Sequence, residues 1–135
     1  MFFDTHAHYD DKAFDVDRNE LLSCFPMEGV DFVIDPGCDI PSSEKACRIA
    51  EAYPFVYFAA GIHPEEVTDL PSDWISQIET IASHRKCVAI GEIGLDYYWD
   101  DSKKNLQKEV FEAQLDLARK SDLPVIIHDR EAHGD

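Results

Sequence analysis

Short apolar runs alternate with longer amphipathic segments along the 135-residue chain. The apolar runs carry hydrophobic side chains at successive positions, which is typical of parallel strands that are buried on both faces. They predict five strands, at 1–5, 30–35, 55–60, 87–90 and 124–128. The segments between them place apolar residues on one helical stripe and predict four helices, at 16–27, 42–53, 74–84 and 104–120.

Strict alternation of strands and helices favours right-handed crossovers and a parallel sheet, and therefore an α/β fold. A closed (β/α)8 TIM barrel needs eight strands and typically ~250 residues. The sequence predicts only five strands, so the pattern fits either an open α/β sheet or a barrel that is cut short. No linker or repeat divides the chain, and we expect residues 1–135 to form part of a single domain.

Acidic residues outnumber basic residues by 28 to 12, which gives a formal net charge of −16. This balance argues against broad binding of a nucleic-acid backbone, because such binding releases counterions through a basic protein face. A local site in which bound cations meet an anionic substrate is still compatible with the charge.

Three features bear on where the protein works. No apolar run approaches the ~20 residues of a membrane span. The first residues lack the basic region and apolar core of a secretory signal. The cysteines show no C-x-x-C spacing and predict reduced thiols: Cys24, Cys38, Cys47 and Cys87. We therefore expect a cytoplasmic protein without a membrane partner.

Candidate metal ligands occur at the carboxyl ends of several predicted strands, where parallel α/β folds place their sites. His6 and His8 end the first strand, Glu92 follows the fourth, and His128 ends the fifth. Histidines two positions apart on a strand share a face and can bind one ion. A surface histidine pair is the alternative, but the match of Glu92 and His128 to strand ends favours a metal site. Glu92 is predicted to bridge two cations.

Other polar residues have two interpretations each. His63 either contacts the metal ligands or the substrate phosphate, or it caps the following turn. Asp4 either orients an imidazole or forms hydrogen bonds within the barrel bottom. The aromatic run at 96–99 either stacks a nucleobase or packs at the barrel mouth. The acid-rich segment 10–17 is predicted to be a solvated face.

These residues lie in four longer motifs: FFDTHAHYD at 2–10, GIHP at 61–64, AIGEIGLDY at 89–97 and PVIIHDREA at 124–132. Gln107, Phe111 and Gln114 of the fourth predicted helix fit the same pattern. Taken in register over the whole chain, the motifs resemble those of the TatD family of metal-dependent deoxyribonucleases, within the amidohydrolase-like barrel superfamily.

The resemblance implies a (β/α)8 TIM barrel that holds two divalent cations. By position, His6 and His8 would hold one cation, His128 the other, and Glu92 would bridge them as the catalytic carboxylate. Magnesium is the favoured metal, with zinc and manganese as alternatives, because imidazole and carboxylate donors suit all three.

The implied reaction is hydrolysis of DNA phosphodiester bonds by metal-activated water, as a 3′–5′ exonuclease that prefers single strands or 3′ ends. His63, Asp96 and Arg130 are expected to bind the substrate. Two alternatives stay open. One is an amidohydrolase or phosphotriesterase-like enzyme for a small molecule, which the charge of −16 supports by repelling long DNA. The other is a catalytically inactive metal-binding fragment.

The family pattern continues beyond Asp135, with a further ligand histidine and a late Glu-Thr-Asp segment whose aspartate is implied to bind metal. The resemblance therefore implies a TIM barrel truncated after about the fifth strand. In such a chain the first and fifth strands are exposed edges, and inward apolar side chains lack facing partners. We expect self-association through these exposed strand edges.

Overall fold

A five-stranded parallel sheet with the order β1-β2-β3-β4-β5 forms the centre of the computed structural model, which describes residues 1–135. Each strand pairs in parallel with its neighbour in sequence. The strands are β1 (Phe2–Asp4), β2 (Val30–Pro36), β3 (Val56–Ala60), β4 (Cys87–Asp96) and β5 (Val125–Arg130). The helices are α1 (Arg18–Glu28), α2 (Ile40–Ala52), α3 (Trp74–Ala82) and α4 (Lys104–Ser121). The predicted α/β class is confirmed.

Local sequence signals fix several helix ends. The Asp39 carboxylate accepts a hydrogen bond from the Ser42 N–H at 2.7 Å, and the Ser42 hydroxyl accepts one from the Asp39 N–H at 2.8 Å. This capping box satisfies amides that would otherwise lack partners, and α2 begins directly after Asp39. α1 ends at Gly29, whose φ of 82° suits glycine better than any other residue.

The hydrophobic core lies between the helices and one face of the sheet. Its members come from all four helices and from β2, β3 and β4, and they include Leu22, Ile49, Phe58, Ile78 and Val110. The edge strands β1 and β5, and one position of β2, are much less covered. Phe2, Phe3, Phe32 and Ile127 are 68%, 57%, 43% and 49% exposed, so apolar side chains of β1, β2 and β5 face solvent.

β4 is longer than the sequence predicts. The apolar run ends at Ile90, but the strand continues to Asp96, so Glu92 lies within β4 and not after it. Pairing with β5 extends the strand, with Gly94 opposite His128 and Asp96 opposite Arg130. Gly94 has a φ of 145°, and a Cβ there would lie 2.0 Å from the His128 carbonyl oxygen, so this close approach requires glycine.

The other differences are small. β1 ends at Asp4, so His6 and His8 lie in the segment after the strand. β5 runs to Arg130, so His128 is inside that strand and not at its end. Both changes keep the three histidines at the carboxyl edge of the sheet.

Candidate metal centre

The four predicted ligands meet at the carboxyl edge of the sheet. Glu92 lies at the centre, and its two carboxylate oxygens face different histidines. Oε2 is 3.0 Å from His6 Nε2 and 3.4 Å from His8 Nε2. Oε1 is 3.0 Å from His128 Nδ1. A carboxylate placed in this way has one oxygen available to each of two neighbouring groups of nitrogen donors.

The segment that carries His6 and His8 is held beside β2. The Ala7 N–H donates to the Ile34 carbonyl oxygen at 3.2 Å. The Asp4 carboxylate accepts from the His6 N–H at 3.3 Å and from the Tyr9 hydroxyl at 3.2 Å. Asp4 therefore orients the backbone of this segment. It forms no hydrogen bond with an imidazole, which was one of its two interpretations.

His63 joins the opposite side of the centre. Its ring centroid is 4.2 Å from that of His128, and one ligand atom of each of His63, Glu92 and His128 lies within 4.8 Å of the others. Its Nδ1 accepts a hydrogen bond from the Glu65 N–H at 3.2 Å. His63 therefore caps a short 3-10 turn, as one interpretation predicted, and it borders the candidate ligands. Its contact with the substrate phosphate stays a prediction.

Two of the three shifted groups, Glu92 and His63, are in the protonation state that binds a cation, and His8 is not. Burial raises the pKa of Glu92, but hydrogen bonds from His8 and His128 outweigh it and lower the value to about 2. Burial and the neighbouring His128 lower the pKa of His63 to about 4. Hydrogen bonds with Cys38 and Glu92 raise the pKa of His8 to about 11. At neutral pH the centre thus holds an ionised carboxylate and a neutral imidazole, and His8 must release a proton before it can bind a metal.

Asp96 contacts His128 directly and is almost completely buried. Its Oδ2 lies 2.8 Å from His128 Nε2, on the opposite side of the ring from Glu92. The Gln107 amide holds the backbone of Asp96, accepting from its N–H at 2.9 Å and donating to its carbonyl at 2.8 Å. The structure places Asp96 where it orients the His128 ring, with little surface for the substrate contact that was predicted.

Arg130 and two aromatic side chains form the outer rim. The guanidinium lies 3.8 Å from the centroid of the Tyr98 ring and 5.2 Å from that of Trp99. Trp99 is 65% exposed. A cleft of about 360 Å³ extends from this rim to the four histidines and Glu92. The predicted substrate-binding residue Arg130 therefore borders the same cleft as the candidate ligands.

A second acidic group, Asp10 and Asp35, lies beside this centre and was not predicted from the sequence. The segment 10–17 was predicted to be solvated, which is wrong for Asp10, since that residue is only 9% exposed. Asp35 is 0% exposed. Burial, and then repulsion by Asp10, raises the pKa of Asp35 to about 8. One signal could have identified Asp35, because it directly follows three consecutive apolar residues at the carboxyl end of a predicted strand.

Comparisons with known proteins identify the family of the chain. The family of TatD related DNases matches residues 3–135. The chain is 42% identical over 135 residues to the uncharacterized metal-dependent hydrolase YabD of Bacillus subtilis. The aligned region covers 100% of this chain and 53% of that protein. The chain is 34% identical over 132 residues to the 3′-5′ ssDNA/RNA exonuclease TatD of Cronobacter turicensis, covering 98% and 50%. The chain spans about half the length of the curated relatives it matches.

Solved structures give the same result for the fold. The crystal structure of the TatD homologue YjjV from Escherichia coli superposes with a TM-score of 0.89 at 35% identity, over 98% of this chain and 52% of that one. A TatD family hydrolase from Entamoeba histolytica gives a TM-score of 0.89 at 24% identity, over 99% and 51%. These matches confirm the TIM-barrel type of α/β fold, of which the chain forms about half. No helix has the length and apolar character needed to cross a membrane.

Proposed function

The chain belongs to the family of TatD related DNases, which includes metal-dependent hydrolases, and from this we propose that it takes part in the metal-assisted hydrolysis of DNA phosphodiester bonds. One observation carries the proposal: the two oxygens of Glu92 face separate sets of imidazoles at the carboxyl edge of the sheet. That arrangement suits a bridging carboxylate between two cations.

The donor set fits divalent cations. His6 and His8 would hold one cation, His128 the other, and Glu92 would bridge them. Imidazole nitrogens and carboxylate oxygens suit magnesium with additional waters, which we favour, and also zinc or manganese. When bound, such cations lower the pKa of a water molecule and stabilise negative charge on a phosphate. Asp96 would orient the His128 ring, through the contact of its Oδ2 with Nε2 at 2.8 Å.

The rim of the cleft supports a single-stranded nucleic acid as the substrate. Trp99 offers an exposed ring on which an unpaired base can stack, and stacking of this kind tolerates any base. The guanidinium of Arg130 can donate to a phosphate from the same rim. His63 is proposed to contact the substrate deeper in the cleft. One relative carries the name 3′-5′ ssDNA/RNA exonuclease, and we propose the same polarity for this protein.

A nuclease assay tests this function. Single-stranded DNA labelled at its 5′ end is incubated with the purified protein and Mg²⁺ or Mn²⁺, beside the variants Glu92→Gln and His128→Ala. We expect stepwise shortening from the 3′ end that requires metal and is lost in both variants. His133→Ala is the matched control, because His133 is 79% exposed and contacts Asp129 outside the centre. Equal cleavage by the unchanged protein and Glu92→Gln would exclude the mechanism.

A small-molecule substrate is the second candidate. The net charge of −16 and the carboxylates of Glu65 and Glu66 on the cleft wall disfavour long polyanions. Turnover of lactones and phosphotriesters, measured beside turnover of single-stranded DNA, separates the two candidates. If neither class of substrate reacts while metal still binds, the chain is a non-catalytic metal-binding unit.

We also propose that the chain associates with another polypeptide, such as a second copy, through its edge strands. The support is the exposure of Phe2 and Phe3 on β1 and Ile127 on β5. Phe3→Lys should lower the average mass measured by light scattering. A monodisperse monomer with a cooperative melting transition in the unchanged protein would contradict this proposal.

A further inference from the structure

Two buried carboxylates lie beside the candidate metal centre and have no hydrogen-bond partner at three of their oxygens. Asp35, near the end of β2, is 0% exposed, and both of its carboxylate oxygens lack a partner. Asp10, in the loop before α1, is 9% exposed, and its Oδ1 also lacks one. Buried carboxylates are normally paired or bound to a metal, because an uncompensated buried charge is strongly unfavourable.

The basic side chains of this region are engaged elsewhere. Arg18 donates to the backbone carbonyls of Asp10 at 3.3 Å and Asp11 at 2.7 Å, and to the Asp15 carboxylate at 2.7 Å. Lys45 Nζ also contacts the Asp15 carboxylate, at 2.9 Å. Neither cation forms a hydrogen bond with the two buried carboxylates. His8 Nδ1 lies 3.8 Å from Asp10 Oδ1. A His8 that binds metal is neutral, so another positive group is then needed for both carboxylates to be ionised.

We propose that the carboxylates of Asp10 and Asp35 bind a further divalent cation, separate from those at Glu92, with His8 lying between the two sites. One ligand atom of each of His8, Asp10 and Asp35 lies within 4.8 Å of the others. His8 Nε2 is directed at Glu92, at 3.4 Å, and its Nδ1 lies 3.8 Å from Asp10 Oδ1. A neutral imidazole has one lone pair, so a His8 that binds metal through Nε2 carries its proton on Nδ1, facing Asp10. The carboxylates are therefore the protein ligands of the further cation.

The surroundings indicate which kind of cation fits. An open cleft of about 340 Å³ leads to Asp10, and its wall also carries the carboxylates of Asp11, Asp39 and Glu66 but no lysine or arginine. Such a cleft attracts cations and admits water. Magnesium and manganese match a site of this kind, because magnesium is commonly held by one or two carboxylates while it keeps several waters. This site is independent of whether DNA is the substrate.

Metal titration in a protein that lacks the first centre tests the inference. Glu92→Gln and His128→Ala are combined to disable that centre, and Mn²⁺ binding is followed by calorimetry and by the electron paramagnetic resonance of free Mn²⁺. We expect this background to retain one Mn²⁺ per chain. Adding Asp35→Asn should weaken that binding by about 100-fold, since even partners outside the ligand shell change metal affinity 10–100-fold. Asp116→Asn, which alters an exposed carboxylate on α4, should have no effect.

Two further measurements complete the test. Asp10→Asn is the second variant, and it should reproduce the loss of Mn²⁺ binding. The melting temperature in EDTA checks the fold, and Asp35→Asn should melt no lower than the background, because an amide of the same size replaces a buried carboxyl group that has no hydrogen-bond partner. If the background binds no Mn²⁺, or binds it equally with and without Asp35→Asn, the inference is wrong and the two aspartates share a proton. Metal-dependent cleavage that requires Glu92 would be unaffected by that failure.

Discussion

Two buried charges stand at opposite ends of β4 and have different kinds of partner. Lys86 immediately precedes the strand, is 5% exposed, and donates to the backbone carbonyls of Ala50, Tyr53 and Val56. Glu92 lies towards the carboxyl end of the strand, is 7% exposed, and contacts three histidine side chains.

The difference shows that burial of a charge does not by itself identify a functional site. An ammonium group has three N–H donors, and Lys86 directs them at three acceptors of its own chain, so it has no capacity left for a ligand. The imidazoles around Glu92 are groups that commonly bind metals. A cation between them and the carboxylate can therefore take the place of their direct hydrogen bonds. In barrels of this type the amino end of the strands contributes stability and the carboxyl end contributes chemistry.

The largest expected effect comes from removing the charge of Glu92. Glu92→Gln keeps the size of the side chain but should lower kcat/KM for single-stranded DNA on the order of 10³-fold, because metal-assisted charge stabilisation contributes several kcal/mol. Steady-state kinetics with Mg²⁺ provide the measurement. A loss of less than threefold in kcat/KM would contradict the functional role of Glu92.

Lys86→Met should affect stability and leave the metal centre intact. The methionine fills similar volume, but three carbonyl oxygens lose their donor, and we expect a loss of about 3 kcal/mol in the free energy of unfolding. Urea denaturation measures this loss, and Mn²⁺ titration should give unchanged affinity.

Lys120→Met is the matched control for that experiment. Lys120 is 69% exposed and contacts Glu79 at 2.6 Å, and exposed ion pairs of this kind contribute about 0.2–1 kcal/mol. If the two lysine variants lower the free energy of unfolding by similar amounts, the carbonyl contacts of Lys86 contribute no more than an exposed ion pair.

The pH dependence of stability compares two buried carboxylates at the carboxyl edge of the sheet, Asp35 and Glu92. In EDTA, Asp35 has a pKa of about 8 in the folded state against an ordinary value of 3.8. Between these values the folded state holds a proton that the unfolded state releases, so the free energy of unfolding falls as the pH rises. We expect a fall of about 2 kcal/mol from pH 5 to pH 8, because Asp10 and Asp35 titrate together.

Asp35→Asn should flatten that part of the profile, as followed by urea denaturation at each pH. Glu92 has the opposite sign. Its pKa is lowered to about 2, so its contribution is complete above about pH 4.5 and is lost as the pH falls through 2. A profile that is unchanged by Asp35→Asn would show that Asp35 is ionised in the folded protein.

The fold was largely predictable because local patterns and tertiary pairing agree. All five strands and four helices were predicted, and the approach of His6, Glu92 and His128 was expected because parallel strands end at one edge. The extent of β4 was not predictable from its own residues. Gly91 and Gly94 interrupt the apolar run, and only pairing with β5 shows that the strand continues.

The burial of Asp10 and Lys86 was not predicted because it depends on distant parts of the chain. Asp10 lies in an acid-rich segment that is typical of a solvated surface, and it is buried only because the loop folds against β2. Lys86 is one of many lysines in the sequence, and the carbonyls that it contacts are 30 to 36 residues away. The position of Asp35, directly after three apolar residues at the carboxyl end of β2, was the one local signal of a buried ionisable group.

The smallest expected effect concerns Trp99, which is exposed at the rim of the cleft and lies outside both groups of buried charges. If its ring stacks on an unpaired base, Trp99→Ala should raise KM for single-stranded DNA about tenfold and leave kcat nearly unchanged, since such stacking contributes about 1–3 kcal/mol per base. Trp99→Phe should retain most of the affinity, because phenylalanine keeps an aromatic face. An equal rise of KM in both variants would indicate that Trp99 only packs against Tyr98 and Arg130. Steady-state kinetics on a short oligonucleotide thus show whether the Trp99 ring binds substrate or only packs against its neighbours.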